Sequence, residues 1–187
     1  MRTLFALLVL AGCDGSASLV SPADFLANAT IKKAVDDSQF LSYMGSTPPT
    51  VSGKYGCSGQ VARSANSDLV PPGAMVELSV CLFNQKGGLV DSAVKAGEAT
   101  GGGSGFAISG SGANFTIWEE LRSSNPGCSE HDAVLYSGTK NGDQLEVSAL
   151  SIVLDVNGSA CGLAAAFWYA ANETFTSTGA CTGLGDL

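Results

Sequence analysis

The chain has 187 residues, room for one domain with short appendages and too few for a large multidomain machine. Nine basic side chains against 17 acidic ones give a formal charge of −8, opposite to what a phosphate-binding surface needs, so no nucleic-acid partner is expected. With 45% hydrophobic and only 14% charged residues the chain should fold, and its 24 glycines lean it toward turns and strands.

The N-terminus carries the strongest signal. Arg2 followed by the apolar residues 4–11 has the anatomy of an export signal. That run is too short to cross a bilayer as a helix, which takes about 20 apolar residues. It ends in Leu10-Ala11-Gly12-Cys13, where the chain resembles bacterial lipoproteins: their lipobox is a branched apolar residue, a small pair and a cysteine. The resemblance implies recognition of Leu10, Ala11 and Gly12 by a signal peptidase, cleavage before Cys13, and a diacylglyceryl thioether on its sulfur. Acylation of the new amino group, as by palmitate, usually follows. One chain holds a protein to a bilayer only marginally and two hold it stably. The implied address is the cell envelope, with the lipid bilayer as partner through acylated Cys13. Asp14 follows the cysteine; an aspartate there sorts lipoproteins in some diderm bacteria but not by one code, which leaves inner and outer membrane open. The alternative is an ordinary secretory peptide cut near Ser16-Ala17-Ser18, giving a secreted, unlipidated β protein.

Beyond this signal peptide (1–12), residues 13–49 read as the lipidated cysteine, a small polar tether and a short helical segment. Ser21-Pro22-Ala23-Asp24 starts the helix, with Ser as N-cap, Pro at the first helical position and a carboxylate at the positive helix end. Gly45 and Pro48-Pro49 stop it. From residue 50 to 187 the period changes to two. Val51, Gly53, Tyr55, Cys57, Gly59 and Val61 share one side, and Val76, Leu78, Val80 and Leu82 alternate with Glu77, Ser79 and Cys81. Further strands are predicted over 89–94, 105–110, 114–121, 133–138, 144–156 and 163–175. Lys86-Gly87-Gly88, the Gly110 to Asn114 stretch and Asn141-Gly142-Asp143 supply turns. No crossover helices intervene. The expected fold is mainly β, an antiparallel meander closed as a barrel or sandwich and preceded by the short helical segment. A helix followed by a strand with Gly53-Lys54-Tyr55 is faintly similar to lipocalins, whose barrels open with Gly-x-Trp, although Tyr replaces Trp and no second motif follows.

Five cysteines remain beyond the anchor: Cys57, Cys81, Cys128, Cys161 and Cys181. In an oxidising compartment five cysteines form at most two bridges and leave one thiol. Alternation places Cys57 on the apolar face and Cys81 on the opposite one, so a Cys57–Cys81 bridge would need one side chain to leave its face. No Cys-x-x-Cys occurs, and no metal or cofactor motif is found.

Cys128-Ser129-Glu130-His131-Asp132 places Ser, His and Asp too close in sequence to aim at one another as a triad. It reads as a surface loop, with Glu130, His131 and Asp132 as a weak divalent-cation set at most. Gly101 to Gly105 lacks the Lys and the following helix of a phosphate cradle, and reads as a flexible loop. Phe115, Trp118, Phe167, Trp168 and Tyr169 read as core. Glu119 and Glu120 would face opposite sides of a strand, and two adjacent acids at a strand end read as solvated. No nucleophile–base pair survives, so a non-catalytic binding or structural domain is expected. Its partner would be a protein, a glycan or a small apolar ligand; the alternative is an envelope hydrolase acting through such acids.

Overall fold

The computed structural model describes residues 19–187 except 66, 69–70, 97–98, 126–127 and 158–166, with backbone alone at 96, 99–100, 123–125, 128, 167–172 and 184. The lipobox, Cys13 and Cys161, and the side chains of Cys128, Phe167, Trp168 and Tyr169, lie outside the described residues.

Two helices, α1 (Pro22–Ala27) and α2 (Ala29–Ser38), precede a two-residue β1 (Ser46–Thr47). Eight long strands follow: β2 (Gly53–Ser64), β3 (Met75–Lys86), β4 (Leu89–Ala96), β5 (Ala99–Ser111), β6 (Asn114–Asn125), β7 (Cys128–Asn141), β8 (Gln144–Asn157) and β9 (Phe167–Gly179). Each of β2 to β8 pairs antiparallel with the next, and β9 returns to pair with β2. The meander therefore closes into an eight-stranded up-and-down barrel, which leaves no free edge to manage. β1 adds a short parallel pairing to the outside end of β5, at Gly110 and Ser111.

Period-two patterning divides the apolar residues between two cores. Inward positions such as Val80, Leu82, Phe115, Tyr136, Val147 and Phe175 pack together in the lumen. Outward positions on β5 to β8, among them Trp118, Leu135, Leu150 and Ile152, pack against Phe25, Ile31, Ala34 and Phe40 of the helical segment. Phe25 meets Trp118 with ring centroids 5.7 Å apart and tilted planes. An apolar lumen with Lys54, Ser58, Gln60 and Glu77 outside is the reverse of a membrane-spanning barrel, whose apolar residues face lipid. No described helix is long and apolar enough to cross a membrane.

Local chemistry sets the helix boundaries. Ser21 caps α1, accepting the Asp24 N–H at 3.3 Å, as its sequence predicts. The second cap is Asn28, whose Oδ1 accepts from Thr30 and Ile31 at 3.0 and 3.2 Å. The helical stop falls at Gln39, in the left-handed region at φ 57°, well before Gly45. The chain then crosses the outside of the barrel, where the Tyr43 N–H donates to Thr116 Oγ1 and the Ser109 hydroxyl to the Tyr43 carbonyl, both at 2.7 Å. Val51 closes this end from within: it is fully buried in the lumen core, its N–H donates to Gln85 Oε1, and its carbonyl accepts the Tyr55 hydroxyl at 2.9 Å.

Three sequence expectations are corrected. The glycine run is not a loop but part of β5, because β4 lies so close that a Cβ at Gly102 would sit 2.2 Å from the Ser92 carbonyl oxygen. Residues 128–132 are not a surface loop but the start of β7, which pairs with β6 from Cys128 and with β8 as well from Ser129. Glu119 and Glu120 are not solvated at a strand end; both are buried in mid-β6. Cys81 is bonded to Cys181 with Cα atoms 5.6 Å apart, which ties the C-terminal tail to the outside of β3. Cys57 is a free thiol facing the lumen.

Candidate acid-lined lumen

The hairpin turns at 87–88, 112–113 and 142–143 gather at one end of the barrel, the end that Val51 closes. Toward the opposite end the lumen lining changes from apolar to acidic. On β7, alternation sends Glu130 and Asp132 inward with Val134 and Tyr136, and on β6 it sends Glu119 inward with Ile117 and Leu121. Glu119 stands opposite Val134 and Asp132 opposite Leu121, so the two acids are diagonal neighbours on one face. From β9, Glu173 pairs with inward Val147 and lines the lumen beside Cys57 and Phe175, its Oε1 accepting the Gln60 N–H at 3.1 Å. Lys140 is inward by register at the turn end, where its Nζ donates to the Thr50 carbonyl at 2.5 Å; no Lys, Arg or His stands among the described inward positions beside Glu119, Asp132 and Glu130.

Burial deepens along this column. Glu130 is partly exposed, Asp132 is 5% exposed and Glu119 is 0% exposed. Both Glu119 oxygens, Asp132 Oδ1 and the Ser92 hydroxyl are buried without a hydrogen-bond partner; no other buried side-chain polar atom of the described residues lacks one. An unpaired charge removed from water is strongly disfavoured, so these carboxyls hold their protons. Burial pushes Glu119 up to about 7, opposed only by the nearby Ser92 hydroxyl. Burial, then the neighbouring Glu130 charge, pushes Asp132 up to about 7 as well. Tyr136 is raised well above the ordinary phenol value by burial and by Glu119, and burial pushes the Cys57 thiol up to about 11.

Outside the wall, Glu120 is the mirror case, buried yet fully engaged. Its Oε2 accepts the Leu19 N–H at 2.7 Å, and its Oε1 accepts Arg122 Nη2 at 2.9 Å and meets His131 Nε2 at 2.6 Å. The three-residue cation set read from sequence therefore does not form, because a strand sends Glu130 and Asp132 inward and His131 outward. One charge-dense stretch of sequence is split into two unlike environments, and only the strand assignment distinguishes them. Ser92, which alternation alone identifies as inward, went unnoticed in sequence because a lone Ser among Val90 and Val94 carries no chemical signal.

Two voids of about 10 Å³ each lie in the apolar part of the lumen, one against Tyr55, Phe115 and Tyr136 and one against Cys57, Leu78 and Glu173. Each is about the size of one water molecule. Scans against protein-family models, curated proteins and solved structures find no match to this chain, so the reading of the site rests on its own chemistry.

Proposed function

We propose that the chain is a lipid-anchored protein of the bacterial cell envelope, carried on Cys13, whose barrel is a non-catalytic binding module. The observation that carries the anchor is the Leu10-Ala11-Gly12-Cys13 junction behind an apolar run too short to span. The clamp on Leu19 supports it: a chain from Cys13 to Leu19 reaches at most about 20 Å, which would keep the barrel close to the bilayer. The two lumen voids among the described residues hold no more than a water each, which speaks against a small apolar ligand there and favours proteins or glycans at the surface and small polar species at the acidic end. A hydrolase is the second reading, favoured by Glu119, whose carboxyl stays protonated near neutrality as a general acid requires. Glycoside chemistry needs a sugar seated between two carboxyls, and Glu119 is fully buried in the wall with nothing of it exposed to a substrate, so binding is preferred.

The test is Cys13→Ser followed by fractionation. Uncleaved precursor, or release into the soluble fraction, is the expected result. A wild-type protein whose mature N-terminus lies elsewhere, with no acyl mass, overturns the anchor.

A further inference from the structure

Six large apolar side chains stand exposed among the described residues, and four of them, Val20, Leu41, Met44 and Leu89, gather on one side of the barrel. Their place follows from the outer face of β6, where Thr116, Trp118 and Glu120 point outward in a row about 13 Å long. At one end of that row Glu120 holds the Leu19 N–H, so Val20 stands beside it. At the other end Thr116 and Ser109 hold Tyr43, which lies between Leu41 and Met44 in the chain. Leu89 faces outward on β4 opposite Ala107, and Ala107 lies opposite Trp118, about 10 Å from Leu89 to Trp118 across two strand spacings. The remaining two, Met75 at the start of β3 and Val156 near the end of β8, stand apart from this group, at the barrel end away from the hairpin turns.

The same side is nearly bare of charge. In a protein of formal charge −8, residues 19–31 carry only Asp24, which accepts the Ser21 hydroxyl at 2.6 Å, and residues 38–53 carry no charged side chain. The exposed ion pairs of α2, Lys32 with Asp36 and Lys33 with Asp37, lie elsewhere, because α2 packs over β8, two strands further round. An acidic surface is repelled by anionic lipid, so the uncharged side is the one that approaches a bilayer at least cost. Lys86, exposed and paired with Leu89 across its hairpin, adds a cation at the rim for lipid phosphate.

We propose that this side, over β4 to β6, is the face laid against the bilayer that holds the anchor, with Leu41, Met44 and Leu89 seated at the boundary of headgroups and acyl chains. The proposal rests on the lipid-anchor reading and deepens it, naming the surface that meets the membrane. The tether selects lipid as the occupant. The chain from Cys13 to Leu19 reaches at most about 20 Å, and the Glu120 carboxylate makes it leave from this side wall. With the acyl chains inserted, lipid is the apolar phase nearest to these side chains at all times. Such a contact lies on the membrane without crossing it, in agreement with the apolar lining of the lumen.

The experiment places the lipidated protein in vesicles of phosphatidylcholine and phosphatidylglycerol, the phosphatidylcholine either plain or brominated near the top of its acyl chains, where bromine quenches a tryptophan in contact with it. Met44→Trp and Leu89→Trp should each add emission that bromination quenches, and Met75→Trp should add emission that it leaves alone. Val20 is not used as a probe, because the tether by itself keeps it near lipid. In Met44→Trp, the further changes Leu41→Asp and Leu89→Asp should relieve the quenching; all these positions are exposed, so the barrel keeps its far-ultraviolet circular dichroism. Unquenched Met44→Trp and Leu89→Trp, equal quenching of Met75→Trp, or quenching that survives both aspartates overturns the face. An emission shift that follows protein density and not bromination also overturns it, and assigns the patch to a second copy of the chain. Acyl mass on Cys13 and flotation with the vesicles are read on the same samples. Their absence overturns anchor and face together, whereas their presence without quenching overturns the face alone.

Discussion

At the scale of the residue, Glu119 and Asp132 leave a measurable mark on stability. Both carboxyls are held near 7, above their unfolded values of 4.5 and 3.8. The folded state therefore binds more protons between those limits, and stability falls as pH rises from about 4 to about 7, then levels. Each pKa unit is about 1.4 kcal/mol, so the pair moves stability by a few kcal/mol, on the order of 3 for the fully buried Glu119. Urea unfolding at a series of pH values should show that decline, and Glu119→Gln should flatten much of it. A stability that is level or rising from pH 5 to about pH 7 contradicts unpaired burial. The inward placement of Glu119 was half legible in the sequence: a strand must send one of Glu119 and Glu120 inside, but their residue types do not say which. The answer comes from register, since Glu119 shares a face with Ile117 and Glu120 with Trp118, and both faces of this wall are covered. A doubly covered wall removes the polar side on which sequence alternation depends.

At the scale of the element, the helical segment acts as an outer layer that spares β5 to β8 from exposing apolar side chains. Phe25 is fully buried against Trp118, so Phe25→Ala should cost about 3–4 kcal/mol and weaken the near-ultraviolet circular dichroism of the tryptophan, while far-ultraviolet strand signal persists. A change below about 1 kcal/mol would show that the helices merely rest on the wall. The strands were largely legible because hairpin signals and period-two runs agree; β4 starts at Leu89 and β8 at Gln144 as those signals require. Strand ends were less legible. At residues 99–104 and 128–132, composition typical of turns lies inside strands, because pairing on both sides supplies what local propensity does not. The close approach also works in reverse at Gly138, where a Cβ would fall 1.9 Å from the Glu146 carbonyl oxygen. That is a demand of neighbouring backbone, invisible in one strand read alone.

At the scale of the whole molecule, the Cys81–Cys181 bridge joins positions 100 residues apart and fastens the tail that follows β9. A crosslink over so long a loop removes chain entropy worth roughly 4.7 kcal/mol from the unfolded state, an upper figure for real proteins. Cys181→Ser should therefore lower the unfolding free energy by about 2–4 kcal/mol, read by chemical denaturation without reductant. A variant as stable as the parent would mean that the tail contributes nothing to the closed barrel. The same wall has a consequence in time. Lys54, near the start of the first long strand, pairs with Gly179, at the end of the last one. An emerging polypeptide thus cannot complete its ring, nor join Cys81 to its distant partner, until almost all of it has been made. Until then it presents two raw sheet margins to its surroundings, and the period of greatest danger from mispairing comes before the last strand arrives, since the finished cylinder has no margin to offer.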